Sequence, residues 1–152
     1  YTIPFDDVLK KNGAARFVYE FDAADLQSLT PRTFSGLDLV FPIGTNFMDA
    51  RVVVEEAVTS AGLMTLNVGT YTFNTTTKAV TAHNATGLVA GAAVATLDAV
   101  GDVVVGAGAL LATGTGVGFA VTAPVVLRIV PTVAVPTTGK FRVYVTILQP
   151  SY

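Results

Sequence analysis

Gly139-Lys-Phe-Arg-Val-Tyr-Val-Thr-Ile-Leu148 decides the fold class. In an extended chain Phe141, Val143, Val145 and Ile147 fall on one side, and Lys140, Arg142, Tyr144 and Thr146 on the other. Side chains alternate across a strand with a period of two, so the run reads as a half-buried β-strand with an apolar inner face.

The same reading extends outward. Residues 15–21 place Phe17, Tyr19 and Phe21 inward against Arg16, Val18 and Glu20, and residues 37–41 do likewise with Leu37, Leu39 and Phe41. Further candidate strands are residues 50–58, 63–68, 70–74, 102–105, 117–122 and 125–130. Several of these carry Val or Ala on both faces, which suits a strand central in a two-sided core or one lying against another chain. Turn residues punctuate the pattern at Pro31, Pro42-Ile-Gly44, Ser60-Ala-Gly62, Gly69, Gly87, Gly101-Asp102, Pro131 and Pro136-Thr-Thr-Gly139.

Short strands at this spacing predict an all-β fold, an antiparallel jelly-roll-like β-sandwich of about eight strands. Residues 84–100 allow one short helix through Leu88, Ala92, Ala93, Ala95, Thr96, Leu97 and Val100, with Asn84 or Thr86 as cap and Gly101 as stop; the pattern does not choose between helix and a non-helical course. Residues 22–29 suit a single helical turn between strands. Residues 1–14 read as an extended arm and residues 15–152 as one sandwich domain. Pro4 fixes its own φ and biases Ile3 towards extended geometry. Tyr1, Ile3, Pro4 and Phe5 are thus candidate contacts with a neighbouring subunit, or with the arm's own domain. Residues 1–10 lack the basic segment and apolar run of a secretory leader.

Composition limits the function. The 152 residues are 51% hydrophobic and only 13% charged, with mean hydropathy +0.59, against about 25% charged residues in an ordinary soluble domain. Something besides water is expected to cover part of the surface. A membrane-spanning helix is not the answer: the uncharged stretch at residues 103–127 is interrupted by Gly106, Gly108, Gly114, Gly116 and Gly118 and closes on Pro124. A net charge of −2 with nine scattered Lys and Arg residues gives no footprint for nucleic acid.

Catalytic chemistry is poorly supplied. The chain holds one histidine, His83, and no cysteine. It has no Gly-x-Ser-x-Gly elbow, and zinc sites need three or four nitrogen or sulfur ligands. Glu55 and Glu56, adjacent on a strand, point to opposite faces unless a bulge re-aims one. Were one to face inward, Arg51 or Arg128 would be its expected partner, or else an interface. Asp22-x-x-Asp25 suits a helix N-cap better than calcium. The glycines from Gly106 to Gly118 match neither phosphate-loop fingerprint and suit turns and close backbone approach. Neither an enzyme nor a cofactor is expected.

The order Pro42-Ile-Gly44, Ala50-Arg-Val-Val-Val-Glu-Glu-Ala-Val58, Gly62, Leu63-Met-Thr-Leu-Asn-Val-Gly69-Thr, then an Ala/Thr/Gly-rich middle and the strand Gly139–Ile147, resembles small β-sandwich virion proteins of tailed bacteriophages. The resemblance covers residues 36–74 and 117–148. It implies a non-enzymatic capsid decoration (cement) protein on the virion's capsid surface, bound to the major capsid protein as a homo-oligomer, a trimer or dimer. The alternative within the resemblance is a head-fibre or tail component with a receptor- or carbohydrate-binding sandwich. No catalytic residue carries over.

Overall fold

The computed structural model describes residues 14–33, 40–111 and 121–148. The arm residues Tyr1, Ile3, Pro4 and Phe5 lie outside them. The described strands are β1 (Ala14–Asp22), β2 (Arg32–Thr33), β3 (Asn46–Ser60), β4 (Thr65–Phe73), β5 (Val80–Ala93), β6 (Val103–Val105), β7 (Val125–Thr132) and β8 (Pro136–Leu148). They form two four-stranded antiparallel sheets, ordered β1-β8-β3-β6 and β2-β7-β4-β5.

The pairing has a simple rule. β1 joins β8, β2 joins β7, β3 joins β6 and β4 joins β5. That is one long antiparallel ribbon, folded at the β4–β5 turn and wound on itself. The winding is closed by β8 against β3 and β7 against β4. This arrangement is a jelly roll, the fold the alternating strands predict.

Between the sheets, Phe17, Phe47, Phe141, Val143, Val145 and Ile147 are all at most 1% exposed, as the period-two reading of residues 15–21 and 139–148 requires. Phe41 links the core aromatics edge-on, 5.6 Å from Phe17 and 5.5 Å from Phe47 between ring centres. Its backbone pairs with Val125 as an isolated bridge; residues 37–39 of that candidate strand lie outside the described residues.

Other expectations need correction. The two candidates at residues 63–68 and 70–74 merge into one strand, β4, which runs from Thr65 to Phe73 through Gly69. A Cβ on Gly69 would stand 2.2 Å from the Asn84 carbonyl oxygen, so this glycine admits the β5 backbone and does not break the strand. Residues 84–100 form no α-helix. They continue β5 to Ala93, where Leu88, Val89 and Ala92 are buried, and then make a three-residue 3₁₀ turn at Val94–Thr96. Pairing with β4, from Thr65 opposite Ala93 onwards, outweighs the helical preference of the alanines. Asn84 and Thr86 cap nothing, and Gly101 serves a turn at φ 89°. Gly87, Pro131 and Pro136–Gly139 also lie inside strands. β7 tolerates Pro131 because β2 reaches only Arg128 and Ile129, leaving that flank of β7 an edge. Of residues 117–122, Val121 and Thr122 are not in a strand and the rest lie outside the described residues.

The turn at residues 22–29 is present as a 3₁₀ turn, Ala23–Leu26. The Asp22 carboxylate accepts from the Asp25 N–H at 3.1 Å, and the Asp25 carboxylate from the Asp22 N–H at 3.0 Å. This reciprocal capping box accounts for both aspartates.

Candidate assembly surface

The outer face of the β1-β8-β3-β6 sheet carries a connected cluster of charges. Register sets Glu20 beside Arg142 and Arg142 beside Val53; one step along, Val18, Tyr144 and Arg51 stand in a row. The Lys140 ammonium lies 2.9 Å from Glu20 and 3.9 Å from Glu55, and the Arg142 guanidinium pairs with the same two carboxylates. Arg16 lies 4.5 Å above the Tyr144 ring and Arg51 is 2.9 Å from Asp49. The hydrogen bond from Lys140, helped by the two cations' charge, holds the Glu20 carboxyl below its ordinary pKa. The same bond raises Lys140.

Glu55 owes its place to a β-bulge. Val54 is opposite Phe141 and Glu56 opposite Lys140, so Glu55 is the extra residue and both glutamates reach the solvent face. Neither faces the core, so the inward case in which Arg51 or Arg128 was the expected partner does not arise; Glu55 pairs with Arg142 and Lys140. The bulge itself left no sequence signal, although the outward-facing Arg142 was legible in its strand.

On the second sheet, Tyr71 of β4 is buried although it points away from the core, and Arg128 stands 5.8 Å from its ring centre. Burial raises the Tyr71 pKa, opposed by the Arg128 charge. His83 is also a bulge residue, between the pairs Tyr71–Ala82 and Thr70–Asn84. Its Nδ1 lies 3.0 Å from Thr70 Oγ1, in a contact that fixes the ring against the strand. Among the described residues, no carboxylate and nucleophile converge on it in the manner of a triad. Among the described residues there is no group of three or more His, Asp or Glu side chains placed to hold a metal ion. None of their helices is long and apolar enough to cross a membrane.

Gly106 and Gly108 answer the phosphate-loop question. The Gly106 N–H donates to the Ala50 carbonyl of β3 at 2.6 Å, and the Gly108 N–H to the Leu88 carbonyl of β5 at 3.1 Å. The segment after β6 thus closes one side of the sandwich by bridging the two sheets. A Cβ on Gly108 would sit 2.1 Å from the Gly87 backbone. These glycines permit close approach; Gly114, Gly116 and Gly118 lie outside the described residues.

An open cleft of about 480 Å³ lies under the β1–β2 connection, lined by Asp25, Gln27, Ser28, Arg32 and Arg128 among others. Arg32 is 3.5 Å from Asp25, which answers its charge within the cleft.

No family model and no curated protein matches the sequence. The fold does have solved counterparts. One chain in the "Cyanophage Pam1 capsid asymmetric unit" aligns over 90% of this chain and 85% of its own, with TM-score 0.57 and 19% identity. A chain in the "Acidic stable capsid structure of Helicobacter pylori bacteriophage KHP30" aligns over 91% and 89%, with TM-score 0.54 and 14% identity. A chain in the "Capsid of Ralstonia phage GP4" aligns over 91% and 86%, with TM-score 0.50 and 14% identity. At these identities the likeness is one of fold. Because each alignment spans most of both chains, the matched chains are close to this one in length.

Proposed function

We propose that this chain is a non-enzymatic structural protein of a phage virion, a capsid decoration protein that binds and stabilises the shell of major capsid protein from its outer surface. The observation that carries the reading is the jelly roll shared nearly end to end with similarly sized chains in three phage capsid structures. The charge-poor composition agrees with it.

The mechanism is burial repeated over many copies. A homo-oligomer, trimer or dimer, seats several copies at once, and the second and later contacts form at high effective concentration. The arm residues Tyr1, Ile3, Pro4 and Phe5 supply one such contact, reaching a neighbouring subunit from the end of the domain where β1 begins. A receptor- or sugar-binding role draws little support: among the described residues Tyr19 and Tyr71 are buried and Tyr144 lies under Arg16, leaving no exposed aromatic platform.

The test is co-sedimentation of purified protein with capsids of the parent phage assembled without it, alongside light scattering of the free protein. The expected results are saturable binding, an oligomer in solution and weaker binding after deletion of residues 1–10. A monodisperse monomer that ignores capsids refutes the proposal.

A further inference from the structure

The winding of the ribbon sends four connections to one end of the sandwich: residues 23–31, 61–64, 94–102 and 133–135. The registers put them together. Asp22, ending β1, pairs with Lys140 near the start of β8; Ser60, ending β3, pairs with Pro136; and Thr65, opening β4, faces both Ala93 and Thr132. Hydrogen bonds tie the connections to one another. Gln27 Nε2 donates to the Pro136 carbonyl at 2.8 Å, Ser60 Oγ to the Val135 carbonyl at 3.0 Å, and the Val94 N–H to the Met64 carbonyl at 3.0 Å.

Each of these connections holds one large aliphatic side chain out in water: Leu29 at 54% exposure, Leu63 at 82%, Val100 at 72% and Val133 at 74%. A single exposed leucine is ordinary, but four gathered at one end mark a contact. Val133 adds a second, independent observation. Its φ is 72°, a left-handed conformation that β-branched residues rarely adopt. Asparagine or glycine would fit that turn with less strain and more affinity for water, yet the sequence places an isopropyl group there. Charge supplies a third. The four connections contain Asp25, Asp98 and Asp102 and no Lys or Arg. Asp25 is engaged by Arg32 and its capping box, and Asp102 accepts from the Ala99 N–H at 3.0 Å, which leaves Asp98 as the exposed acid of the rim.

We propose that this end of the sandwich is a docking surface, and that its occupant is an apolar patch flanked by Lys or Arg on the repeating shell protein. The proposal rests on the capsid reading above and names a contact at the opposite end from the start of β1. The area argues against a second copy of this chain. Two sheets about 10 Å apart, each four strands wide, present an end of roughly 20 by 20 Å, on the order of 400 Å². That is about half of the roughly 800 Å² per partner that a free-standing complex needs. A contact of this size holds when repeated on a lattice and fails as an isolated dimer, and two such ends brought together would add acid to acid.

The experiment compares full-length wild type with the double variant Leu63→Ser, Val133→Asn for capsid co-sedimentation, thermal unfolding and oligomeric state; Val100→Ser, in a third connection, repeats the measurement. The expected result is capsid binding weakened at least tenfold, with the oligomer unchanged and the melting temperature equal or higher, since asparagine relieves the turn. Variants that bind within twofold of wild type overturn the docking end and leave the capsid reading standing. Wild type that does not bind capsids overturns both. A wild-type oligomer that falls apart in the variant overturns the proposed occupant, because the end then meets a second copy.

Discussion

Replacing Gly108 by alanine separates close packing from backbone freedom as the reason for a glycine. The added Cβ would lie 2.1 Å from the Gly87 carbonyl carbon and oxygen and 2.4 Å from the Leu88 nitrogen, all backbone atoms. No flexible side chain can give way, so the bridging segment must lift from β5. Two backbone hydrogen bonds go with it, Gly108 N–H to Leu88 at 3.1 Å and Leu110 N–H to Gly87 at 3.0 Å. Overpacking costs about 1–3 kcal/mol and each lost bond about 0.5–1.5 kcal/mol, which together make about 2–6 kcal/mol. At about 2–4 °C per kcal/mol for a domain of this size, the melting temperature drops by roughly 4–24 °C. The control is Gly91→Ala. Gly91 has φ 67° but no atom within 4 Å of a built Cβ, so only the left-handed penalty of about 1–2 kcal/mol applies. Thermal unfolding of both variants by circular dichroism reads the difference. If Gly108→Ala is no more damaging than Gly91→Ala, the segment after β6 does not bridge the sheets as described.

Phe141→Ala removes a ring that is 1% exposed beneath the outer ion network; a loss of about 3–5 kcal/mol in urea unfolding is expected, and a change under about 1 kcal/mol would mean that the β8 inner face is not core. Asp22→Ala deletes one half of the capping box and should cost about 0.5–2 kcal/mol, measured in the same way, with Asp25→Ala not adding its full effect because the two share one motif. Glu20, held below the ordinary carboxylate pKa by Lys140, contributes stability that is present above its unfolded pKa and lost as pH falls through its lower folded value. Melting temperatures taken from pH 6 down to pH 3 should therefore fall less steeply for Glu20→Gln than for wild type; identical slopes would dissociate Glu20 from the acid response.

Legibility in the sequence followed how each strand meets water. β1 and β8 put one face in the core and one in solvent, so their alternation was plain, and the registers Phe17–Val145 and Phe21–Phe141 keep every inward residue inward. β5 was illegible for the opposite reason. Its register with β4 slips between Val68–Val89 and Thr70–Asn84, where residues 85–88 take an irregular course, and its alanines sit where a helix would also place them. Gly69 read as a break because a missing side chain marks a turn and a close approach alike. The partner of Glu55 was hidden by a bulge that shifts one residue to the solvent face. The spacing of strands and turns pointed to a jelly-roll-like sandwich, but which strand pairs with which depends on residues far apart in sequence, and no local pattern encodes that.

The apolar excess that suggests a covered surface divides in two once the fold is known, and only one part argues for a partner. β7 carries apolar side chains on both faces, broken on the second by Arg128, and these are covered within the chain: Leu127 and Ile129 pack into the core, while Val126 and Val130 on the other face are no more than 7% exposed. Much of the composition is therefore absorbed internally, and mean hydropathy overstates the surface that needs a partner. Among the described residues, the most exposed aliphatic side chains, Leu63, Val133 and Val100, lie in the connections of one end with Leu29; Ile43, Val103 and Val105 are also more than half exposed, and Val18, Val40 and Leu148 less so. The broad outer face of the β1-β8-β3-β6 sheet carries instead a network of paired charges that water solvates well. A partner that docks end-on would cover Leu29, Leu63, Val100 and Val133 and leave that charged face exposed, whereas one lying flat on the sheet would have to desolvate Glu20, Glu55, Lys140 and Arg142 together. The distribution of charge over this jelly roll thus favours an upright attachment.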